Sequence, residues 1–341
     1  MSQAPGSAIM AKPIDRRTFL RIASVSLGIG ALHRVAPAWA AGGASADTSR
    51  RLKSRNGEAV TPFTFVQLSD MHVGFSGPPN PTGTRAFERA VEIVNALPKA
   101  PDLILFTGDL THDSEDQNER TARMQRFLEI SGRLKVKTRR LVPGEHDAGL
   151  DGGALFREHF GPSSYAFDHK GVHFVALDNV SRALPEVGPE QIAWLQKDLA
   201  RFPPTAPIVV FTHRPLFDLK PEWEWFTRDG DQVMNVLAPF ENVTVLYGHI
   251  HREDLHQSGH VRHCAARSLA WAFPDPAKVA EKKPLAFDPG RPFANLGLRT
   301  LKAAPGAHPR AATIAMDEVE LTLREHSGTD GIAQLLRPST L

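Results

Sequence analysis

The stretch VTVLYGHIH, residues 243–251, is an apolar run that ends in a glycine and then in two histidines with one residue between them. Short apolar runs rich in β-branched and aromatic residues are typical of buried strands. Gly248 directly precedes His249, where a missing Cβ lets the backbone and a bound ion approach closely. The pair His249-x-His251 predicts two neighbouring binding positions, one for each ring.

Four other apolar runs also end in side chains that can bind a metal. They are FTFVQLSD, which ends at Asp70 with His72 two residues on; LILFTGD, which ends at Asp109; RRLVPGEHD, which ends at Glu145, His146 and Asp147; and IVVFTH, which ends at His213. These runs alternate with helical segments, which indicates an α/β fold, and in open α/β sheets the binding crevice lies outside the carboxyl ends of the strands. One such residue alone is usually a helix cap or a turn residue, but five strand ends together predict one shared site.

The side chains of this set suit a metal site that uses no cysteine. Carboxylate oxygens and imidazole nitrogens together favour the borderline first-row metals Zn, Mn, Fe, Co and Ni, and one carboxylate can bridge two ions roughly 3.5–4 Å apart. The segment Glu145-His146-Asp147 is ambiguous when taken alone, because acidic residues directly after Pro-Gly are also ordinary helix-start residues.

The order and spacing of these motifs resemble those of the calcineurin-like metallophosphoesterases, over residues 62–268. The motifs are Asp70-x-His72, Gly108-Asp109, Gly144-Glu145-His146-Asp147, His213 and Gly248-His249-x-His251. The helical segment GPEQIAWLQKDLA, residues 188–200, is similar to the branch that contains purple acid phosphatases and class III cyclic-nucleotide phosphodiesterases. The resemblance implies a four-layer α/β/β/α sandwich, in which helices flank two mixed sheets and the site lies at one edge of both sheets.

The resemblance also implies a role for each residue of the site. The expected ligands of the first ion are Asp70, His72, Asp109 and His251. Asp109 is expected to bridge to a second ion, which is held by Glu145, His213 and His249. His146 is expected to act on the leaving group as general acid or transition-state stabiliser, and Asp147 is expected to orient its ring.

The reaction implied by the resemblance is hydrolysis of a small phosphorylated substrate by attack of a metal-bound hydroxide. The substrate is either a phosphomonoester or a phosphodiester. The implied cofactors are two metal ions, Fe with Mn, Zn or a second Fe. The alternative hypothesis is a protein of the same fold that binds metal without hydrolysing phosphate esters, or that uses its metals for redox chemistry.

Glu145 departs from the family pattern, which usually has Asn before the histidine. The carboxylate adds one negative charge and one methylene, which makes the centre a weaker Lewis acid unless the metals change. Three outcomes are open at this stage: Glu145 favours a trivalent ion such as Fe(III), or raises the pKa of a bridging water, or swings away and leaves the second position weak.

The first forty residues are predicted to be a twin-arginine (Tat) signal peptide, because Arg16 and Arg17 precede an apolar stretch, residues 22–32, that is too short for a permanent membrane span. Cleavage is expected after Ala40, at the small-residue site Ala38-Trp39-Ala40. We therefore expect a periplasmic or extracellular protein with no stable membrane anchor, and the Tat translocase as its partner during export. Residues 41–61 are predicted to be a linker, and residues 62–341 a single domain.

Charge and cysteine content argue against a nucleic-acid-binding protein and exclude a protein stabilised by intrachain disulfides. Of the 40 basic and 38 acidic residues, five basic and one acidic residue lie in the predicted signal, so the remainder has a slight excess of acid and no nucleic-acid partner is expected. The single cysteine, Cys264, excludes an intrachain disulfide and is typical of a small buried core residue. No sequence feature predicts an oligomeric state.

Several residues near the motifs allow two interpretations each. Arg214 either reaches a substrate phosphate or is a solvated surface residue. His112 and Asp113 either orient a ligand or belong to a polar turn. The loop containing Trp223 and Trp225 either lines a pocket or packs in the core.

The C-terminal third of the chain carries no further predicted ligands. His256, His260 and His263 are predicted not to bind metal, because no acid or cysteine framework accompanies them. Residues 274–310 are predicted to be an irregular excursion, and the alternating run AATIAMDEVELTLREHS, residues 311–327, is predicted to form a pair of strands.

Overall fold

The computed structural model describes residues 59–306 and 312–321. The predicted signal, most of the predicted linker (41–58) and residues 322–341 lie outside the described residues. The strands are β1 (Phe63–Leu68), β2 (Leu103–Thr107), β3 (Arg139–Val142), β4 (Tyr165–His169), β5 (Val172–Ala176), β6 (Pro207–Phe211), β7 (Asn242–Tyr247), β8 (Asp254–Ser258), β9 (Val261–Ala265), β10 (Gly297–Pro305) and β11 (Ala312–Glu320). The helices are α1 (Arg85–Ala96), α2 (Gln117–Gly132), α3 (Glu145–Ala148), α4 (Ala154–Phe160), α5 (Pro189–Leu199) and α6 (Gly230–Leu237), with a 3₁₀ turn at Pro221–Trp223.

The described strands form two mixed sheets. The first has the order β11-β10-β1-β2-β3, in which β1, β2 and β3 are parallel and β10 runs antiparallel to β1. The second has the order β4-β5-β6-β7-β9-β8, in which β5, β6, β7 and β9 are parallel. The metal-ligand motifs follow β1, β2, β3, β6 and β7, which are all members of the two parallel sets.

Both faces of each sheet are buried, because successive side chains of a strand point to opposite faces and the central strands carry apolar residues on both. In β1, Phe63 and Phe65 pack between the two sheets, whereas Val66 and Leu68 pack against α1 and α2. Helices α5 and α6 cover the outer face of the second sheet. The order helix, sheet, sheet, helix confirms the predicted four-layer sandwich.

A polar tie joins the two sheets directly behind the site. Gln67, fully buried in β1, donates its side-chain amide to the Thr107 hydroxyl oxygen (3.1 Å) and to the Tyr247 carbonyl oxygen (2.9 Å). Tyr247 is the last residue of β7, one position before the Gly248-His249 pair. The two bonds satisfy both donors of the buried amide nitrogen and connect the first sheet to the end of β7.

Two predicted boundaries differ from the described structure. The predicted linker does not extend to residue 61, because Val60 is buried in the core between the sheets and the Thr61 N–H donates to the Lys170 carbonyl oxygen. Residues 274–310 are not irregular throughout, because Gly297–Pro305 is β10, which pairs with both β1 and β11. Within the run 311–327, Ala312–Glu320 forms β11, which pairs with β10, and residues 322–327 lie outside the described residues, so the predicted second strand stays a prediction.

Within the part of the chain that the structure describes, no helix is both long and apolar enough to cross a membrane.

Candidate dinuclear metal centre

The first group of possible ligands lies where β1, β2 and β7 end. Asp70, His72, Asp109 and His251 are all buried, and one ligand atom from each lies within 4.8 Å of the others. His72 Nε2 is 3.4 Å from Asp109 Oδ2, and His251 Nε2 is 3.5 Å from Asp70 Oδ1. We refer to these four residues as the first cluster.

The second group shares Asp109 and adds one residue from each of the ends of β3, β6 and β7. Asp109, Glu145, His213 and His249 also place their ligand atoms within 4.8 Å of one another. Glu145 Oε2 is 2.8 Å from His213 Nε2, and Glu145 Oε1 is 2.8 Å from His249 Nδ1. Asp109 Oδ2 is 3.4 Å from both His72 Nε2 and His213 Nε2, so the same oxygen faces both groups. We refer to these four residues as the second cluster.

The donor set fits metal ions. Among the described residues, the buried atoms Asp70 Oδ2, Glu145 Oε2 and His213 Nε2 make no well-oriented hydrogen bond, although the last two face each other at 2.8 Å, and this arrangement is costly unless a cation binds there. Burial raises the pKa of Asp70 to about 7 and lowers the pKa of His251 to about 3. A neutral imidazole and a carboxylate in need of positive charge are the forms that a metal ion binds.

The ligands are presented by an unusual backbone conformation. Five of them have positive φ angles: Asp70 (55°), His72 (43°), Asp109 (48°), His249 (65°) and His251 (52°). Left-handed backbone is unfavourable for residues other than glycine and is concentrated at functional sites. The left-handed backbone at His249 and His251 places their rings in different clusters, as predicted, whereas an extended segment would direct residues i and i+2 to one face.

Gly108 and Gly248 allow other protein atoms to approach the strand ends closely, whereas the sequence predicted close approach of a bound ion. A Cβ on Gly108 would lie 2.3 Å from His213 Nδ1, and a Cβ on Gly248 would lie 2.0 Å from Ser69 Oγ. Any larger residue at either position would displace the strand end or a ligand beside it.

Each histidine ligand is oriented by a contact of its second ring nitrogen. The contacts are His213 Nδ1 to the Thr107 carbonyl oxygen (2.7 Å), His251 Nδ1 to the Trp271 carbonyl oxygen (2.9 Å), His249 Nε2 to the Glu224 carbonyl oxygen (3.0 Å) and His72 Nδ1 to His112 Nδ1 (3.2 Å). Since a carbonyl only accepts, these contacts assign Nε2 of His213 and His251, and Nδ1 of His249, as the metal-facing nitrogens. The Glu224 carbonyl gives no signal in the sequence, because it is a backbone group in a loop.

His146 stands at the edge of both clusters without belonging to either of them. Its backbone N–H donates to Asp109 Oδ1 (3.0 Å), and its ring Nδ1 lies 2.7 Å from Asp113 Oδ1. Its ring stacks on His112, with 4.4 Å between centroids. Burial disfavours protonation of His146, but the charges of Asp109, Asp113 and Glu145 outweigh burial and raise its pKa to about 9.

Asp147 does not orient His146, so its predicted catalytic role is wrong. The Asp147 carboxylate is buried and accepts from the backbone N–H groups of Leu110, Thr111 and Gly144, at 2.8–3.0 Å. These bonds tie the end of β2 to the start of α3. Asp113 contacts His146 instead. His112 contacts the candidate ligand His72, which supports the orienting interpretation for His112, whereas Asp113 orients a residue outside both clusters.

The remaining open interpretations are also decided. Arg214 is buried, with its guanidinium 3.6 Å from Glu145, so it is not a solvated surface residue. Trp223 and Trp225 are buried and pack against Tyr247 and Ile250, which confirms the packing interpretation. His256, His260 and His263 belong to none of the possible metal-binding groups in the described part of the chain.

Two aromatic residues beside the first cluster were not singled out from the sequence. Trp271 stacks on His72 at 4.4 Å between ring centroids, and Phe75 contacts both Trp271 (4.5 Å) and His112 (5.0 Å). Behind Trp271, residues 285–296 and Asn80 enclose a cavity of about 260 Å³ whose lining includes no ligand. Trp271 and Phe75 do not belong to any of the five strand-end motifs, so the sequence pattern did not identify them.

Comparison with protein families agrees with this geometry. The family of calcineurin-like phosphoesterases matches residues 63–253, which is more than half of the chain. The chain belongs to this family. Calcineurin-like phosphoesterases use a dinuclear metal site, and the matched region contains all seven predicted ligands. The domain is therefore that of a metal-dependent phosphoric ester hydrolase.

Individual relatives of this phosphoesterase domain share between 14% and 32% of their residues with it. A 3′,5′-cyclic adenosine monophosphate phosphodiesterase of Haemophilus influenzae is 32% identical over 161 residues, which is 45% of this chain and 55% of that protein. A 3′,5′-cyclic-nucleotide phosphodiesterase of Nostoc sp. is 23% identical over 62% of this chain and 80% of its own length. The purple acid phosphatase PPD1 of yellow lupin superposes with a TM-score of 0.55 at 14% identity, over 76% of this chain and 52% of that one. At that identity the likeness shows the fold alone.

Proposed function

We propose that this chain is an exported phosphoesterase that binds two metal ions and hydrolyses small phosphoric esters, with phosphodiesters as the first substrate class. The observation that carries the proposal is the position of Asp109. One of its oxygens faces the ligand nitrogens of both clusters, and the other accepts from the backbone N–H of His146. A single carboxylate thus links two cation positions and the backbone of His146, the residue whose side chain is best placed to handle a proton.

The first cluster would hold one ion, and the second cluster would hold the other. When bound, a pair of such ions neutralises phosphoryl oxygens and lowers the pKa of a nucleophilic water. The remaining chemistry belongs to side chains of this chain. The buried strand-end ligands hold rigid positions, so the charge that develops in the transition state meets groups that are already oriented.

His146 would protonate the leaving oxygen. Its Nδ1–H donates to Asp113, which leaves Nε2 as the nitrogen that can carry the transferable proton. The proton passes from Nε2 to the oxygen of the departing alcohol, and the Asp113 carboxylate stabilises the imidazolium before the transfer. Ions bound at Asp109 and Glu145 would cancel much of the negative charge that raises the pKa of His146, which brings its acidity closer to neutral pH.

The proposed metals are Fe with Mn, Zn or a second Fe. Support comes from the donor set, which is made only of carboxylate oxygens and imidazole nitrogens. Phosphodiesters come first because the relatives from Haemophilus influenzae and Nostoc are named as cyclic-nucleotide phosphodiesterases. Phosphomonoesters are the second class to test.

The test is turnover by the purified mature chain, residues 41–341, after removal of metal and loading with Mn(II), Zn(II), Fe(III) or mixed pairs. The substrate panel contains cyclic nucleotides, bis(p-nitrophenyl) phosphate and p-nitrophenyl phosphate. We expect hydrolysis that depends on metal and is strongest for a diester. Protein that binds two ions and hydrolyses no ester would contradict the proposal and favour the metal-binding or redox alternative.

Export is the second part of the proposal and rests on the twin-arginine pattern at Arg16 and Arg17. Replacement of both residues by Lys should keep the unprocessed protein in the cytoplasm. Fractionation and N-terminal sequencing of the wild type should find the mature chain beginning at residue 41. Unchanged export of the double variant would exclude the Tat route.

A further inference from the structure

Glu145, the residue that departs from the family pattern, has not swung away from the site. It is the first residue of α3, and both carboxylate oxygens face ligand histidines, Oε1 toward His249 and Oε2 toward His213. An additional negative charge is therefore present inside the second cluster, and something must balance it.

The only guanidinium within 4 Å of the Glu145 carboxylate in the described residues is that of Arg214. Its Nη2 lies 3.6 Å from Glu145 Oε1, which is an ion-pair distance but too long for a hydrogen bond. Arg214 therefore supplies charge without occupying a lone pair, and both oxygens of Glu145 stay directed at the metal position.

Arg214 is held in this place by backbone groups. Its Nη1 donates to the Glu224 carbonyl oxygen (2.9 Å), the same oxygen that orients His249. Glu224 has a left-handed backbone (φ 61°), and the buried side chains of Trp223 and Trp225 anchor the loop on either side. The guanidinium is buried, and its Nε has no hydrogen-bond partner among the described residues. A buried Arg held in this way is a built feature of the site rather than a flexible surface cation.

We propose that Arg214 is a positioning residue that balances the extra charge of Glu145, so that the second cluster selects a divalent ion despite its additional carboxylate. With Arg214 counted, the charge around the two ions equals that of a centre with a neutral Asn at residue 145. Glu145 and Arg214 then act as one unit, and removal of either charge alone disturbs the site more than removal of both.

Arg252 provides an internal contrast. It also directly follows a ligand histidine, His251, but its guanidinium bonds the Asp275 carboxylate (3.2 Å). Arg252→Gln is therefore a matched control for Arg214→Gln, because each change removes one positive charge directly after a ligand histidine.

The experiment measures metal binding on apo protein for wild type, Glu145→Gln, Arg214→Gln, Arg214→Lys, Arg252→Gln and the double variant Glu145→Gln/Arg214→Gln. Titration calorimetry gives the affinity for the second ion, and elemental analysis after loading from an equimolar mixture of Mn(II), Zn(II) and Fe(III) gives its identity. Gln at residue 214 removes the charge but keeps a polar side chain, and Lys keeps the charge. Thermal unfolding checks that each variant is folded.

Changes around a metal site typically alter metal affinity about 10–100-fold, and we expect effects of that size here. Glu145→Gln should weaken the second ion by about 100-fold, and the added Arg214→Gln change should recover at least about tenfold. Arg214→Gln alone should shift loading toward Fe(III), whereas Arg214→Lys and Arg252→Gln should resemble wild type.

Equal second-ion affinity in Glu145→Gln and in the double variant would overturn the proposal, and so would Arg214→Lys behaving like Arg214→Gln. If Arg214→Gln does not fold, the decision passes to Glu145→Gln alone, and full retention of its second ion overturns the proposal. The inference rests on the second cluster binding an ion, as proposed above. Wild-type protein that binds fewer than two ions would contradict the proposed function, whereas two ions without coupling would contradict only the role of Arg214.

Discussion

The two clusters share Asp109 but are built differently. All four residues of the first cluster are buried and have left-handed backbone, so strand-end loops hold every ligand in a strained, fixed position. In the second cluster, Glu145 comes from a short helix, its side chain is 27% exposed, and Arg214 lies beside it. The difference indicates that the first position is determined by the fold, whereas the second is tuned by individual side chains.

The largest effect should come from the residue that the two clusters share. Asp109→Asn removes the charge that faces both ion positions, so both ions should be lost and kcat/KM should fall by more than about 10³-fold, beyond what an orienting residue costs. Elemental analysis and turnover measure the two losses. Asp147→Asn, a neighbouring buried carboxylate outside both clusters, is the control and should retain two ions. Two full equivalents of metal in Asp109→Asn would show that the clusters do not share a ligand.

The next effect separates proton handling from metal binding. His146→Ala should keep both ions but reduce turnover of an ester with a poor leaving group by about 10²–10⁴-fold, the usual contribution of general acid catalysis. An activated nitrophenyl ester should lose less, because its leaving oxygen needs no proton. Equal losses for both esters would assign His146 an electrostatic role, and loss of metal would place it within a cluster.

A smaller effect tests the corrected role of Asp147. Asp147→Ala leaves three buried backbone N–H groups without an acceptor, so it should lower the free energy of unfolding by about 2–4 kcal/mol. Denaturant titration of the apo protein measures this loss. Asp113→Ala, at a carboxylate that is 43% exposed, is the contrasting variant and should slow turnover with little loss of stability. Slow turnover in Asp147→Ala without destabilisation would restore its orienting role.

The smallest effect concerns the loss of stability at acidic pH. Release of metal from the two clusters is one cause of such a loss, and protonation of His263 is a second. His263 is buried away from both clusters, with no hydrogen-bond partner for either ring nitrogen among the described residues, and burial, aided by nearby His256, lowers its pKa to about 4. Because the folded pKa lies below the unfolded value, His263 should cost stability as pH falls from about 6.5 to about 4, by roughly 2–3 kcal/mol. His263→Leu should flatten this decline in the apo protein, as followed by denaturant titration at each pH.

His173 supplies a control of opposite sign for that measurement. Its ring lies 2.7 Å from both Asp168 and Asp198, and although burial opposes protonation, these bonds raise its pKa. Its contribution is therefore complete below the unfolded pKa and lost as pH rises through the folded value, so His173→Gln should remove stability at acidic pH. An unchanged acid decline in His263→Leu would leave the metal ligands as its cause.

The residue patterns by themselves indicated an α/β fold and a shared site at five strand ends, and the resemblance to a family implied the four layers and the seven candidate ligands. Apolar runs bounded by Asp, Glu and His are local features, and the rule that parallel strands end at one edge of a sheet converts them into a shared site. The resemblance to a family then supplied the division into two clusters with Asp109 in common, and the geometry agrees with it.

Only the tertiary structure decided which groups surround those ligands. Asp113 rather than Asp147 meets His146 because α3 turns the Asp147 carboxylate back toward the backbone of residues 110–111, which no spacing rule reveals. The Glu224 carbonyl, the Trp271 ring and the Arg214 guanidinium reach the site from loops whose paths depend on packing rather than on periodicity. The charge balance at Glu145 is a property of distances across the fold, so the sequence could show the extra carboxylate but not the cation that accompanies it.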